Sequence, residues 1–433
     1  MSAPAAIRPR DRGTILQALS AGVVPRVGLR HVQVGRAREV AALVRDIDRI
    51  VDGGSAVRFI IGEYGAGKTF FLNLVRLIAL ERRCVTIQAD LAPDRRIHAT
   101  GGQARHLYAE AVGNMATRTK PEGGALASIV ERFITDCARD SEMRSVAVEH
   151  VIDERLSSLH EHLGGHDFAT VLKTYWRASE QEDEGLKSAA LRWLRAEFPT
   201  KTEARQALPV RSIIEDADIY DSIKLLAAFV RIAGYTGLVV IFDEMVNIYK
   251  LQSAQARNQN FEQILRIIND TLQGNVSGLG FLFGGTPEFL MDSRRGLYSY
   301  QALQSRLAEN SFAAGGLVDM NGPVLRLQSL TPEELLVLLG NIRSIFGLGD
   351  PAANLVPDAA LGAFMEHCSK RIGEAYFRTP RNTIKAFVQL LSILEQNPGT
   401  DWRSLLGGVD IARDEGGEEE PDDPDDELAT LRL

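Results

Sequence analysis

The stretch Gly62-Glu63-Tyr64-Gly65-Ala66-Gly67-Lys68-Thr69 decides the fold of this chain. It fills every fixed position of the pattern G-x-x-x-x-G-K-[ST]. An apolar run, residues 56–61, leads into it, and a helical pattern, residues 70–80, follows it. A complete motif between a strand and a helix predicts a phosphate loop, so we expect the chain to bind a nucleoside triphosphate.

Each part of this loop has its own physical task. The three glycines let successive backbone N–H groups turn toward a phosphate, and the positive end of the next helix adds to that cradle. Lys68 is expected to reach the β and γ phosphates of ATP, and the Thr69 hydroxyl to ligate Mg²⁺. We predict that all eight residues, with Phe70 directly after them, contact the nucleotide.

A second acidic motif completes the predicted nucleotide site. The continuous apolar run 237–242 is typical of a strand buried on both faces, and it ends in Asp243-Glu244. Asp243 is expected to hold Mg²⁺ through its water shell, and Glu244 to act as the general base on the attacking water. Downstream of a complete phosphate loop, this pair favours hydrolysis over two solvated acids at a strand end.

Strands alternate with helices around the loop, which predicts a doubly wound α/β fold of the P-loop NTPase type with a parallel sheet. Further strand candidates are residues 84–89, 237–242, 279–283 and 324–328. Thr331 as N-cap, Pro332 at the first helical position and Glu334 closing a capping box begin an all-helical segment. The predicted domains are an N-terminal arm (1–30), a nucleotide-binding α/β domain (31–329) with a helical insertion (about 95–230), a helical lid (330–409) and a disordered acidic tail (410–433).

The composition is that of an ordinary globular protein, with 45% hydrophobic and 24% charged residues. No apolar run approaches the roughly 18 residues needed to cross a bilayer, and the N-terminus lacks a hydrophobic export signal. Three widely separated cysteines fit reduced thiols rather than a disulfide framework. We therefore expect a cytoplasmic protein without a membrane partner.

The net charge of −8 is concentrated in the tail. Residues 410–433 hold eleven acidic side chains against two arginines, a net of −9, so the remaining chain carries +1. Global charge thus argues neither for nor against a nucleic-acid partner. The basic pairs Arg82-Arg83 and Arg95-Arg96 could contact phosphate backbones, but a scattered basic surface is favoured because no aromatic residues interleave with them.

A set of motifs resembles the AAA+ ATPases, especially initiator-like and transposition-regulator-like members. More closely, the chain resembles the bacterial ATP-binding proteins of BREX-type phage-defence systems, whose phosphate loop also reads G-E-x-G-x-G-K-[ST] before an aromatic residue. The resemblance covers roughly residues 30–395, less the helical insertion. Its motifs are residues 35–39, the phosphate loop, residues 239–244 and 284–287, Arg306 and Pro380-Arg381.

The resemblance implies roles for residues outside the phosphate loop. Val34, Gly35 and Arg36 would line the adenine side. Thr286 would sense the γ phosphate; relatives usually have Asn in this role, so the assignment is open by one residue.

The resemblance also implies roles for two arginines. Arg306 would be the arginine finger that reaches into a neighbouring subunit's site, with Arg294 and Arg295 as rivals. Arg381 would be a second sensor on the lid. For Arg306 and Arg381 alike, the alternative is an ordinary solvated or salt-bridged surface arginine.

The resemblance implies an ATP- and Mg²⁺-dependent AAA+ ATPase that forms nucleotide-dependent homo-oligomers in anti-phage defence. Duplex DNA and a helicase-like or nuclease-like defence protein are the expected partners besides the chain itself. Two alternatives stay open: a nucleotide-gated switch or scaffold with little turnover, and a DNA-remodelling or clamp-loading ATPase. A very low hydrolysis rate that neither DNA nor the partner raises would favour the switch, and a DNA-stimulated rate would favour the motor.

Overall fold

One five-stranded parallel sheet carries the fold. The computed structural model describes residues 7–25, 27–312, 319–372 and 380–406. The strands are β1 (Ser55–Ile61), β2 (Val85–Asp90), β3 (Leu238–Asp243), β4 (Leu279–Gly285) and β5 (Val324–Arg326). Their order is β2-β3-β4-β1-β5, and every neighbouring pair is parallel. The prediction of an α/β fold with a parallel sheet is confirmed.

The apolar runs found in the sequence match the strands to within one or two residues. The β-branched and aromatic composition of these runs explains the match, because both faces of the inner strands are buried. Cys84 lies just before β2, and β5 is shorter than expected. The outer edge of β2 is paired with Ala116, whose backbone exchanges two hydrogen bonds with Thr86. Nothing in the sequence indicates that Ala116 pairs with this edge strand.

The chain forms two compact units. The first comprises Met1–Gly35, Glu63–Gly67 and Gln328–Leu433, and the second comprises Arg36–Gly62 and Lys68–Leu327. The whole sheet belongs to the second unit. The α-helices of that unit are α3 (Ala37–Val51), α4 (Lys68–Glu81), α5 (Gln103–Gly113), α6 (Leu126–Arg144), α7 (Val148–Leu156), α8 (Gly165–Glu180), α9 (Glu184–Leu194), α10 (Lys201–Ala207), α11 (Ile219–Ile232), α12 (Val246–Tyr249), α13 (Ala254–Leu272), α14 (Pro287–Met291) and α15 (Gln301–Leu307).

Different helices cover the two faces of the sheet. On one face, α3 and α4 pack on alternate residues of β1, β3 and β4 and form a compact apolar cluster. On the other face, a larger cluster joins the remaining inward residues to α11, α13 and the helices between β2 and β3. Those helices, α5 to α11, therefore share one core with the sheet. Burial on both faces fixes the strand ends rigidly.

The first unit is helical in its described residues. Its helices are α1 (Pro9–Ser20), α2 (Leu29–Val32), α16 (Pro332–Phe346), α17 (Asp358–Ile372), α18 (Pro380–Gln396) and α19 (Trp402–Leu406). The predicted start of α16 is confirmed: Thr331 accepts from the Glu334 amide, and Glu334 accepts in return from the Thr331 amide. From the other end of the chain, α1 packs on α18 and α16, and Arg12 donates to the Phe346 carbonyl.

Some sequence predictions concern residues that the structure does not describe. The acidic tail, residues 410–433, lies outside the described residues, as does Thr379 beside the predicted second sensor. In the described ranges, no helix combines the length and the apolar character that a membrane span requires.

Candidate functional site

The phosphate loop connects β1 to α4. Gly65 and Gly67 have φ values of 77° and 80°, in the left-handed region that glycine enters at no steric cost. Within the first unit, the Ala66 amide donates to the Glu63 carbonyl and closes a tight turn at 3.1 Å. Within the second unit, the Lys68 ammonium donates to the Gly62 carbonyl at 2.8 Å. The left-handed backbone at Gly65 and Gly67 therefore explains why the motif has glycine at these positions.

Thr69 and Asp243 meet at the carboxyl edge of the sheet. The Thr69 hydroxyl donates to Oδ2 of Asp243 at 2.8 Å, and the Glu244 amide donates to Oδ1 at 2.9 Å. Asp243 is buried at the end of β3, whereas Thr69 lies in the first turn of α4. Two hydrogen bonds thus orient a buried carboxylate toward the first turn of α4. The sequence predicted both residues as magnesium ligands, and the structure brings them together.

Gly284 makes room for this carboxylate. It lies at the end of β4, and a Cβ atom placed there would stand 2.1 Å from Oδ1 of Asp243 and 2.9 Å from the Leu72 side chain. No side chain fits in that space. Gly284 is therefore needed so that the Asp243 carboxylate can occupy its position. The motif at residues 284–287 did not reveal this role.

Glu244 follows in a strained backbone conformation. Its φ of 56° is left-handed, which is uncommon for a residue other than glycine, asparagine or aspartate. The side chain opens to solvent on one side. The atoms packed around it raise its pKa, the Asp243 carboxylate raises it further, and Lys68 acts in the opposite direction. A carboxylate with a raised pKa beside a phosphate loop has the chemistry of a general base.

Asp90 is a third carboxylate at this edge and was not among the predicted site residues. It ends β2 in register with Asp243, and the Leu91 amide donates to the Asp243 carbonyl. Burial raises the pKa of Asp90, and the neighbouring Asp243 raises it further. The signal that could have revealed it is plain in the sequence, because Asp90 and Asp243 each end an apolar strand.

Thr286 directly follows β4. Its hydroxyl is the N-cap of α14 and accepts from the Phe289 amide at 3.4 Å. One residue earlier, the Gly285 carbonyl accepts from the Gly62 amide. Thr286 therefore stands at the same edge of the sheet as Asp243, since β4 lies between β1 and β3. Its predicted role as a sensor of the γ phosphate stays a prediction.

The three candidate finger arginines differ in how they are held. Arg306, on α15, donates through Nε to the Asn269 side chain at 2.6 Å and through Nη1 to the Ala302 carbonyl at 2.9 Å. Arg295 donates to the Leu251 carbonyl at 3.2 Å and lies over a tyrosine ring. Arg294 is exposed, and its backbone amide is anchored by Asp292. The guanidinium groups of Arg295 and Arg306 are thus engaged within their own chain.

The residues predicted on the adenine side are divided between the two units. Gly35, in the first unit, has a φ of 61°, and a Cβ atom there would stand 2.0 Å from Oε1 of Glu334. Val34 beside it is half-buried. Arg36, in the second unit, precedes α3, and its guanidinium lies 5.9 Å from the centre of the Phe71 ring. Because Glu334 closes the capping box of α16, glycine at position 35 leaves the room that this capping box needs.

Arg381 and Tyr64 are close to each other within the first unit. Nη1 of Arg381 lies 3.5 Å from the Tyr64 hydroxyl, and both side chains are exposed. Gly22 flanks the same arginine, because a Cβ atom there would stand 3.0 Å from Nε. On α4, Phe70 is half-buried. The roles of Arg381, Glu63, Tyr64, Ala66 and Phe70 toward a nucleotide stay predictions.

Comparison with known proteins agrees with this site. Residues 7–410 match the family model described as BREX system ATP-binding protein BrxC/D. No curated protein matches the chain. The family match covers nearly all of the 433 residues, including the phosphate loop, the Asp243-Glu244 pair and the helices of the first unit. The chain therefore belongs to the BREX system ATP-binding protein BrxC/D family.

Proposed function

We propose that this chain is an AAA+ ATPase that binds ATP with Mg²⁺, hydrolyses it as an oligomer, and drives or regulates a step of BREX phage defence. The observation that carries the proposal is the 2.8 Å hydrogen bond between the Thr69 hydroxyl and the Asp243 carboxylate. It joins the end of the phosphate loop to the acidic pair on β3, as ATP·Mg²⁺ hydrolysis requires. The family supports the ATP-binding and defence parts of the proposal.

The residues at the carboxyl edge fit a magnesium ion. A hydroxyl and a carboxylate are hard oxygen ligands, and Mg²⁺ in such sites takes one or two protein groups besides waters and phosphates. Thr69 and Asp243 would hold the ion, with Gly284 leaving room for the carboxylate. When bound, Mg²⁺ would neutralise negative charge on the β and γ phosphates. Lys68 would add a positive charge on the same side.

Glu244 would take the proton from the attacking water. A general base works best when its pKa is near the working pH, and the surroundings of Glu244 raise its pKa toward that range. Its side chain is exposed, so a water molecule can reach the carboxylate. The carboxylate would accept the proton as the water oxygen attacks the γ phosphorus, and the bond to the β-phosphate oxygen breaks. ADP and phosphate are the products.

Hydrolysis and binding can be separated by two variants. Glu244→Gln keeps the shape of the side chain but cannot accept the proton, so ATP hydrolysis should fall by about 10²- to 10⁴-fold while binding of a fluorescent ATP analogue persists. Lys68→Ala should lose binding as well. Glu180→Gln, an exposed glutamate at the end of α8, is the matched control. A wild-type rate in Glu244→Gln would instead favour the nucleotide-gated switch.

For the trans finger we propose Arg294 in place of Arg306. A finger must have its guanidinium free to reach another subunit, and two of the three candidates use theirs locally. Asp292 accepts from the backbone amides of Arg294 and Arg295 and so fixes the turn that presents the exposed arginine. The Arg306 guanidinium would have to leave two hydrogen bonds before it could act in a neighbour's site.

Mixed oligomers test this assignment. Arg294→Ala subunits keep an intact site but supply no finger, whereas Glu244→Gln subunits supply a finger but have a dead site. If the finger acts in trans, each variant alone should be inactive and an equimolar mixture should recover a measurable fraction of the wild-type rate. Arg306→Ala mixed with Glu244→Gln is the control. Full activity of Arg294→Ala alone would refute the assignment.

A further inference from the structure

The amino edge of the sheet carries a group of arginines that the nucleotide chemistry does not use. Arg83 precedes β2, Arg132 lies on α6, and Arg231 lies in the last turn of α11. We name these three residues the arginine cluster. They surround the turn Ala233–Thr236 between α11 and β3, and all belong to the second unit. ATP is expected at the opposite, carboxyl edge, about 20 Å away for strands of six or seven residues.

Each arginine of the cluster is anchored through one side of its guanidinium. Arg83 donates through Nη2 to the Gly234 carbonyl at 3.1 Å. Arg231 donates through Nη1 to the Ser277 hydroxyl at 2.5 Å. Arg132 lies over the Tyr235 ring at 5.1 Å. A guanidinium has five N–H donors, so anchoring by one contact orients the group and leaves donors for a ligand.

Two glycines lie beside members of the cluster. Gly234 has a φ of 85°, and a Cβ atom there would be in ordinary van der Waals contact, at 3.4 Å, with Nη2 of Arg132. At Gly278, with a φ of 62°, a Cβ atom would stand 2.5 Å from Cδ of Arg231. Gly278, directly before β4, therefore leaves the room that the Arg231 side chain occupies. Arginines near helix C-termini are common because they offset the helix dipole, but that effect does not require this close fit.

Carboxylates leave much of the cluster uncompensated. Asp48 pairs with Arg82, and Asp136 pairs with Arg139 at 2.9 Å while lying 3.9 Å from Arg132. Among the described residues, no carboxylate lies within ion-pair distance of Arg83 or Arg231. Both side chains are exposed. An oriented guanidinium without a carboxylate favours an external anion.

A cavity of about 480 Å³ opens beside Arg231. Tyr235 and Thr236 line it from the turn, Ser158 lines it from the helices between β2 and β3, and Val51, Ala228 and Ile232 add apolar lining. The Thr236 hydroxyl already donates to the Arg82 carbonyl at 2.9 Å. Hydroxyl groups next to an arginine are the side chains that contact phosphate oxygens in protein–DNA interfaces. An acidic peptide would match the charge as well, so competition between DNA and polyglutamate decides between the two ligands.

We propose that the arginine cluster binds the phosphate backbone of duplex DNA. This inference rests on the proposed role in defence and names the surface through which the ATPase would meet DNA. Phosphate contacts carry no base preference, so binding should be independent of sequence and strongly dependent on salt. Because the cluster and the nucleotide site are at opposite edges of one rigid sheet, both ligands can be bound at once.

The test is fluorescence anisotropy of a labelled 30-base-pair duplex with the full-length chain between 50 and 200 mM salt. Each lost phosphate contact lowers the slope of log K against log salt by about 0.9. For the triple variant Arg83→Ala/Arg132→Ala/Arg231→Ala the slope should therefore fall by about 2.7. Over this fourfold range of salt, the wild-type Kd should rise about 40-fold more than that of the variant. The Arg→Lys triple variant should keep most of the slope.

Arg177→Ala is the charge-matched control for each of the three single variants, because it removes one exposed arginine that is already paired with Glu149. Binding of a fluorescent ATP analogue and the melting temperature show whether the triple variant is folded. If it is not, the three single variants replace it, each with an expected loss of about 0.9 in slope. Lys68→Ala should bind DNA like the wild type in the absence of nucleotide.

Four results would overturn the inference. The first three are a wild-type chain that does not bind DNA at 50 mM salt, a triple variant with the wild-type slope, and polyglutamate that competes as well as DNA. Displacement of DNA by millimolar phosphate at constant ionic strength would do the same, since it would identify free phosphate as the ligand. If the chain hydrolyses ATP but does not bind DNA, only the proposal that the arginine cluster binds DNA is wrong. A chain that binds DNA without hydrolysing ATP overturns only the proposed ATPase.

Discussion

Replacing Gly284 with alanine should damage magnesium use more than it damages the fold. The new Cβ would meet Oδ1 of Asp243 at 2.1 Å, so the carboxylate must move. Oδ1 accepts from the Glu244 amide and Oδ2 from the Thr69 hydroxyl, and the displaced carboxylate cannot keep both bonds. A hydrogen bond to a charged group contributes about 1.5–3 kcal/mol. Loss of one bond corresponds to about a 10- to 100-fold weaker interaction.

The assay is ATP hydrolysis as a function of Mg²⁺ concentration, with nucleotide binding measured in parallel without Mg²⁺. For Gly284→Ala we expect the half-saturating Mg²⁺ concentration to rise at least about tenfold, whereas Mg²⁺-free binding should change little. Overpacking alone costs about 1–3 kcal/mol of stability, and a control must share that cost. Gly280→Ala in the same strand is matched, because its Cβ would meet only the end of the Ile50 side chain.

The comparison between the two glycine variants decides the reasoning. If Gly284→Ala and Gly280→Ala have the same Mg²⁺ requirement, Gly284 does not control the Asp243 carboxylate and the argument for this edge fails. If only Gly284→Ala requires more Mg²⁺, the effect belongs to the carboxylate rather than to strain in β4.

Three further predictions concern stability. Arg306→Ala should lower the free energy of unfolding in urea by about 1.5–3 kcal/mol. Asn269→Ala should lower it by a similar amount, because each variant removes the hydrogen bond between these two side chains. An unchanged urea midpoint in both variants would contradict this structural role. Thr331→Ala removes the N-cap of α16, which should destabilise the helix by about 1 kcal/mol. Hydrogen exchange of the α16 amides should therefore accelerate about fivefold. Unchanged exchange would count against the capping box. Burial raises the pKa of the Cys137 thiol to about 11, whereas an unfolded thiol ionises near 9. As the pH rises, the unfolded chain therefore loses this proton before the folded chain does. The free energy of unfolding should fall between pH 9 and 11 by up to about 1.4 kcal/mol per pH unit. Cys137→Ala should flatten that fall, and the same slope in both chains would refute it.

Much of the nucleotide site could be predicted because short motifs encode it locally. The phosphate loop, Asp243 and Glu244 each lie at a strand end, and a parallel sheet brings its carboxyl ends to one edge. Thr69 and Asp243 are 174 positions apart in the chain and still meet. Strand order could not be predicted, because apolar runs do not specify which neighbour they pair with.

Features that depend on distant partners had no signal in the sequence. Arg58 stands in the middle of β1, inside the run that the sequence analysis treats as apolar. In the structure it is buried in an ion pair with Asp46 on α3, with 3.1 Å between Nη2 and Oδ1, and it also donates to the Gly322 carbonyl. The arginine candidates were open for the same reason. The contacts of Arg306 with Asn269 and Ala302, together with the exposure of Arg294, distinguish the two arginines.

The two faces of β4 explain how a buried central strand can hold so many glycines. On the face toward α3 and α4, Gly280 accommodates Ile50 and Gly284 accommodates the Asp243 carboxylate. Glycine inside a strand is unfavourable, since it adds backbone entropy to the unfolded chain and packs nothing. On the other face, Phe283 stacks on Phe59 with ring centres 4.9 Å apart and belongs to the large apolar cluster. Aromatic burial on one face therefore offsets the glycines on the other, and Gly284 leaves the space that the Asp243 carboxylate occupies.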